Sequence, residues 1–341
     1  MKAVYLNRHG DASAVEYGDL PEPRLVAGAV KVKVKASSIN HLDIWIRKGM
    51  PQLKLPFPHV LGSDAAGVVE AVGEGVSGFK VGDEVIVHPG LCCGRCEFCL
   101  NGEESLCRQF KIFGEQVSGV CAEEVVVPAS NLFLKPANLS FVEAASLPLV
   151  FTTAWHMAFR RAHVGPGTTV LIHAAGSGVS SAAIQLSVLS GATVIATGGD
   201  EKKRALAERL GAHHALDSKS ADLAKQVKQI CPHGVDVILD HVGQGTWETN
   251  FRAIRWGGKI VTCGATSGHA VNLDLRQIFF RQVQLLGSTM GSKGDFPRLL
   301  ELVSRGKIKP VIAATYPFAE VRTAHKFLES RQALGKVVLT P

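Results

Sequence analysis

From residue 168 onward the sequence beats between two patterns, and that beat restricts the fold more than any other feature. TTVLIHAA (168–175) is a continuous apolar run, and GVSSAAIQLSVLSGA (178–192) follows with helical spacing and a glycine stop. TVIATGG (193–199) precedes the helical DEKKRALAERLGA (200–212), and VDVILDHVG (235–243) precedes TWETNFRAIRWGG (246–258). KIVTCGA (259–265) and QVQLLGST (282–289) add two more strand-like runs. Continuous apolar strands separated by amphipathic helices specify a parallel sheet covered on both faces, a doubly wound α/β domain.

The first third of the chain obeys a different period. In AVKVKVKASS (29–38), Val30, Val32 and Val34 alternate with Lys31, Lys33 and Lys35, the pattern of a half-buried strand. GSDAAGVVEAVGEGVSGFKVGDEVIVHPG (62–90) and CAEEVVVPASNLFLKP (121–136) continue with short apolar runs broken by glycine, which predicts a small, tightly turned β-barrel. SFVEAASLPLVFTTAWHMAFRRA (140–162) has helical spacing, opened by a Ser140–Glu143 capping box. The last fifty residues leave the βα beat and are expected to rejoin the first domain. A chain of 341 residues suits two domains better than one core. The expected division is a catalytic domain of 1–149 and 289–341 and a dinucleotide domain of 150–288.

VLIHAAGSGVSSAAIQ (170–185) is a strand, a glycine-rich turn and a helix in succession. In that context Gly176 and Gly178 let the backbone approach a pyrophosphate, and the helix starting near Val179 offers it free N–H groups. Ser180 stands where the last glycine of such a turn usually stands. The second strand ends in Gly198 and Gly199, where an NAD site would carry an acid for the ribose 2′-hydroxyl. Lys202, Lys203 and Arg204 follow, which favours a 2′-phosphate and hence NADPH; Asp200, turned inward, would favour NADH.

Five of the eight cysteines fall between residues 90 and 107, in GLCCGRCEFCLNGEESLC. Cys93, Cys96, Cys99 and Cys107 form C-x2-C-x2-C-x7-C, a four-thiolate set suited to tetrahedral zinc. Four thiolates close the coordination shell, so the zinc is structural and the lobe 90–108 is what it pins. Cys92 is a spare, and Cys121, Cys231 and Cys263 are isolated, as small buried hydrophobes would be. Disulfides and an iron–sulfur cluster are the competing uses of the cluster. The formal charge is +7, but basic residues form no run and no aromatic-basic motif, which argues against nucleic acid as a partner. No apolar run approaches the length of a membrane span, and MKAVYLNRHG lacks the apolar core of a signal peptide, so a cytoplasmic protein is expected.

At this point the chain resembles the medium-chain dehydrogenase/reductase superfamily over essentially its whole length. The zinc lobe, GSDAAGVVEAVGEGVSGFKVGDEV, AAGSGVSSAAIQ, LGSTMGS and GKVVLTP carry the likeness. The resemblance implies a GroES-like catalytic domain made of both chain ends around a Rossmann domain, and a homodimer or homotetramer assembled through the Rossmann sheets. The candidate cofactor contacts are then Thr153, Ala175, Gly176, Ser177, Gly178, Val179, Ser180, Gly198, Gly199, Lys203, Val242, Gly264, Ala265 and Ser288. Zinc alcohol dehydrogenases of this superfamily carry a second, catalytic zinc. Its ligand positions are occupied here by Asn40, Ser63 and, approximately, Val150, which cannot build a zinc site. His41, His59, Asp43 and Asp64 are the neighbours that could rebuild one.

INHLDIWIRKG resembles the N-x-x-D-x-Y-x-R-x-G of the zinc-free quinone and enone reductases, with Trp45 at the tyrosine. The expectation is therefore an NAD(P)H-dependent oxidoreductase acting on a quinone or a conjugated carbonyl. Asn40 and Ser63 are its candidate hydrogen-bond donors, and Asp43 and Asp64 orient them. The alternatives are an alcohol or aldehyde dehydrogenase with an atypical metal site, and a cofactor-binding protein with little turnover.

Overall fold

The computed structural model describes residues 1–51 and 53–341. Two compact units emerge, Met1–Leu149 with Ser292–Pro341, and Val150–Gly291. Along the chain, the first unit supplies strand β1 (Ala29–Ile39), helix α1 (His41–Lys48), β2 (Asp64–Val72), β3 (Glu84–Val87), β4 (Glu124–Pro128) and β5 (Leu132–Leu134). The second supplies β6 (Thr169–Ile172), α2 (Gly178–Leu189), β7 (Thr193–Gly198), α3 (Glu201–Arg209) and β8 (His214–Asp217). It continues with α4 (Leu223–Ile230), β9 (Val235–Asp240), α5 (Trp247–Ala253), β10 (Ile254–Thr262) and β11 (Gln284–Gly287). The chain then returns to the first unit with β12 (Ile312–Pro317), α6 (Val321–Glu329) and β13 (Lys336–Thr340).

The main sheet of the first unit runs β5-β3-β2-β1-β13-β12, with β4 also paired to β1. Among the described residues the path is open rather than a closed ring, which corrects the expected barrel in its detail. The alternation in β1 holds: Val30, Val32 and Val34 enter the core with Val85, Val87, Val125, Val127 and Val337. Lys31, on the other face, meets the carboxylates of Glu124 at 2.6 Å and Glu70 at 3.1 Å. The C-terminal strand β13 is antiparallel to β1, with Val337 opposite Ile39 and Val338 opposite Ser38. That register sets Lys336 next to Asn40, almost three hundred residues away along the chain.

The second unit has six parallel strands in the order β8-β7-β6-β9-β10-β11, with helices between successive strands. This order reverses between β6 and β9, the switch point at which doubly wound sheets bind dinucleotides. Leu171, Ile195, Ile238, Ile254 and Ile260 fill its core. The helical run after residue 140 is broken into Phe141–Ala144, Pro148–Trp155 and a π-helical turn, His156–Arg161. Pro148 cannot donate its backbone N–H and excludes the helical region for the residue before it, which accounts for the first break. The Ser140–Glu143 capping box is present, with Ser140 N bonding Glu143 at 2.9 Å. TWETNFRAIRWGG is helix only to Ala253; β10 begins at Ile254, where β-branched and aromatic residues take over. Among the described residues no helix is long and apolar enough to cross a membrane.

Candidate active site and metal lobe

In the catalytic unit the candidate residues are drawn together by β1, the start of α1, the start of β2 and the start of β13. Asn40, Asp43, Ser63 and Asp64 are all buried. Asp43 does local work. Its Oδ2 accepts the Asn40 N–H at 2.7 Å, and its Oδ1 accepts the Gly62 N–H at 2.9 Å. One carboxylate thus ties the first turn of α1 to the segment that presents Ser63. Burial pushes the Asp43 carboxyl up to about 6 despite these two donors.

Asp64 gathers donors from four directions. Its Oδ2 accepts the Asn40 side-chain amide at 2.9 Å and the Ser38 hydroxyl at 3.2 Å, while its Oδ1 accepts the Leu149 N–H at 2.9 Å. The fourth donor is Lys336, whose Nζ lies 3.3 Å from Asp64 Oδ2 and also bonds Asn40 Oδ1. Lys336 is 4 % exposed, and burial lowers its pKa while the Asp64 and Asp43 carboxylates oppose that shift. Sequence reasoning missed this residue. Its signal was a lone cation in the apolar strand KVVL, directly after a glycine. Gly335 has φ +103°, and a Cβ there would stand 2.2 Å from the Val311 carbonyl oxygen, so only glycine lets the strand enter at this angle.

Ser63 differs from its neighbours. It is fully enclosed, yet its hydroxyl has no hydrogen-bond partner among the described residues. The other candidate metal ligands do not converge: His59 Nε2 is bonded to the Gly114 carbonyl at 3.1 Å, and the His41 ring packs edge-on against Trp45. Arg47, the arginine of the INHLDIWIRKG motif, is also buried and anchors α1 to α6. It meets Glu329 Oε1 at 2.7 Å and His325 Nδ1 at 3.3 Å.

The cysteine lobe forms the one cluster of three or more His, Cys, Asp or Glu groups with metal-ligand spacing among the described residues. The ligand atoms of Cys93, Cys96, Cys99 and Cys107 lie within 4.8 Å of one another. Cys96 and Cys99 sulfurs are 3.5 Å apart, and Cys93 and Cys99 sulfurs 3.9 Å. A tetrahedron of Zn–S bonds near 2.3 Å has sulfur–sulfur edges of about 3.8 Å, so this donor set fits zinc. Backbone N–H groups of Arg95 and Cys96 lower the pKa of the Cys93 thiol, while burial and the neighbouring cysteines raise that of Cys99.

In the dinucleotide unit, the turn after β6 places Ala175, Gly176, Ser177 and Gly178 at the start of α2. Ser177 caps the helix, its hydroxyl accepting the Ser180 N–H at 3.0 Å. Ser180, at the last-glycine position, donates to the His173 carbonyl at 2.6 Å. His241 Nε2 lies 2.9 Å from both serine hydroxyls, a contact not anticipated from the sequence. Asp240, just before it, is buried and accepts from Val242 N at 2.6 Å and from Thr246 Oγ1 at 2.6 Å, shaping the turn that carries Val242. Gly264 and Ala265 follow the carboxyl end of β10. Ser288 bonds His156 at 2.7 Å, and Thr153 lies 3.7 Å from the Met290 sulfur.

At the end of β7, a Cβ on Gly198 would stand 2.9 Å from Lys203 Cβ and 3.0 Å from the Arg204 nitrogen. A side chain at this strand end would crowd the first turn of α3. Asp200 does not stand in for the acid of an NAD site: its side chain caps α3 by accepting Lys203 N–H at 2.9 Å and pairs with Lys203 Nζ at 2.9 Å. Ser218 and Lys219, after β8, flank Gly199, and Lys219 adds a cation to Lys203, which pairs with Asp200, and Arg204, which lies 3.8 Å from Asp217.

Residues 26–137 match the alcohol dehydrogenase GroES-like domain and residues 178–305 the zinc-binding dehydrogenase domain. This chain belongs to the medium-chain dehydrogenase/reductase superfamily. Across the full length of both chains it is 32% identical to the NAD-dependent alcohol dehydrogenase of Saccharolobus solfataricus. It is 29% identical, again over both full lengths, to the acryloyl-coenzyme A reductase of Metallosphaera sedula. A crystal structure of an NAD-dependent alcohol dehydrogenase superposes on it with a TM-score of 0.96 at 46% identity, covering all of both chains. A medium-chain dehydrogenase/reductase of this type is an oxidoreductase that uses a nicotinamide cofactor.

Proposed function

We propose that this medium-chain dehydrogenase/reductase reduces conjugated carbonyl compounds (enones, quinones or enoyl thioesters) with NADPH and without a catalytic zinc. The observation that carries the reading is the Asn40–Asp64–Lys336 cluster. Where a zinc alcohol dehydrogenase gathers anionic and imidazole ligands, this chain offers an amide, a hydroxyl and a buried ammonium. A dication placed there would face the Lys336 charge and lack three competent ligands. Unactivated alcohols need a Lewis acid on oxygen, whereas a conjugated acceptor spreads its developing charge.

A bound nicotinamide would supply the hydride. The chain's own residues then act on the acceptor oxygen: the Ser63 hydroxyl donates to it, and the remaining amide hydrogen of Asn40 offers a second donor. Both groups are shielded from water, where a hydrogen bond to a developing oxyanion is worth most. Asp43 and Asp64 hold these donors in place, and the proton that completes reduction comes from solvent.

The NADPH preference rests on the crowded Gly198 position and the Lys203, Arg204 and Lys219 rim; the name NAD-dependent belongs to the relatives. Exposed Trp256, Phe279 and Phe280 lie near the edge strand β11 and support a homodimer joined through that edge, or a tetramer of such dimers.

The test is zinc content together with an acceptor panel. One zinc per chain, retained in Asn40→Ala and Ser63→Ala, and chelator-resistant enone reduction with NADPH are expected. Two zincs per chain with chelator-sensitive alcohol oxidation would overturn the reading. Lys203→Ala with Lys219→Ala should raise the KM for NADPH about tenfold and leave that for NADH unchanged, and light scattering checks the dimer.

A further inference from the structure

We infer that Lys336 is a positioning residue for the Asn40 amide, and that it supplies the fixed positive charge of this zinc-free site. The inference rests on the proposed reductase function and names how its donor is held. An ammonium only donates and a carboxylate only accepts. The Asn40 atom facing Lys336 is therefore its oxygen, and the atom facing Asp64, at 2.9 Å, is its nitrogen. Lys336 and Asp64 thus fix which way the carboxamide points. One of its two N–H bonds is spent on Asp64 and the other is left for an acceptor. Asp64 and the capping-box N–H of Asp43 hold the same orientation, so the amide is freed to turn over and present its carbonyl, which repels a developing enolate, when Lys336 and Asp64 are both neutralised.

The charge balance points the same way. Lys336 Nζ is 3.3 Å from Asp64 Oδ2, and both side chains are sealed from water. Asp43 is the other ionisable group near the pair. With Lys336 neutral or absent, the buried acids would face the substrate oxygen uncompensated.

Lys336→Met alone strands a buried carboxylate and is expected to fold poorly. The informative variants are Lys336→Arg, which keeps the charge and the donors, and the charge-neutral double variant Lys336→Met with Asp64→Asn. Each is measured for enone turnover, for NADPH affinity by fluorescence, and for the Asn40 side-chain amide signal in protein labelled with 15N-asparagine. Lys336→Arg should stay within about tenfold of the wild-type kcat. The double variant should keep its NADPH affinity and lose at least about tenfold in kcat with little change in KM, and its Asn40 amide protons should exchange faster. A double variant with wild-type kcat and an equally protected Asn40 amide overturns the positioning role. The amide signal is read without turnover, so a wild-type protein inert toward every conjugated acceptor would sink the reductase reading while leaving the orientation measurable.

Discussion

Replacing Ser63 with alanine should raise stability and lower turnover at once. The Ser63 side chain is fully enclosed and its hydroxyl has no partner among the described residues. A buried, unsatisfied hydroxyl costs about 1–3 kcal/mol, so its removal should return about 1 kcal/mol. For a unit of roughly 200 residues that is a rise of about 2–4 °C in Tm. The same hydroxyl is the proposed donor to the substrate oxygen. Losing one preorganised donor at a developing oxyanion typically costs about 10²-fold in kcat, about 2.7 kcal/mol. The assay is paired: calorimetry on the zinc-loaded protein, and NADPH-dependent enone reduction under saturating cofactor. A variant with unchanged kcat and a lower Tm would mean that Ser63 packs the turn and touches no substrate. A fall in both would show that the hydroxyl has a structural partner.

Cys96→Ser should reduce the zinc content to well under one per chain and lower the unfolding temperature, with elemental analysis as the check; undiminished zinc would move the metal elsewhere. Gly198→Asp should destabilise the dinucleotide unit by about 1–3 kcal/mol through overpacking against Lys203 and Arg204, rather than create an NADH enzyme, and a stable variant that prefers NADH would refute the steric argument. Burial pushes the His88 and His325 imidazoles down to about 3. Below about pH 6.5 the unfolded chain takes up protons that the folded chain refuses, so stability is complete above that pH and falls as the pH drops, by about 1.4 kcal/mol per pH unit for each histidine. Urea unfolding at about pH 7 and about pH 5 measures it, and His88→Leu should reduce the slope by about 1.4 kcal/mol per pH unit.

Much of this protein was legible because its signals are local. The βα beat fixes a parallel sheet, since a helix between two strands leaves little choice but a right-handed crossover. The spacing of Cys93, Cys96, Cys99 and Cys107 confines four thiols to one loop, and the structure brings their sulfurs together. The Val30–Lys35 alternation placed one face of β1 in the core because the side-chain period of a strand is two. The helical spacing after residue 140 is borne out, but in three pieces, since Pro148 acts through the backbone rather than through hydrophobic spacing.

The site was only half visible. The resemblance implied that Asn40 and Ser63 share one site with Asp43 and Asp64 beside them, because Asn40 and Ser63 fall at the family's zinc-ligand positions. It could not show that Lys336 joins them, because that contact depends on the register of β13 against β1, set by long-range pairing of Val337 with Ile39. Nor could it show that Asp200 is spent on capping α3, or that a Cβ at Gly198 would crowd that helix. Local spacing determines which elements form and which ligands can share a loop. Which buried charge meets which amide is decided by packing between segments far apart in the chain, where a shift of one residue would turn Lys336 to the opposite face.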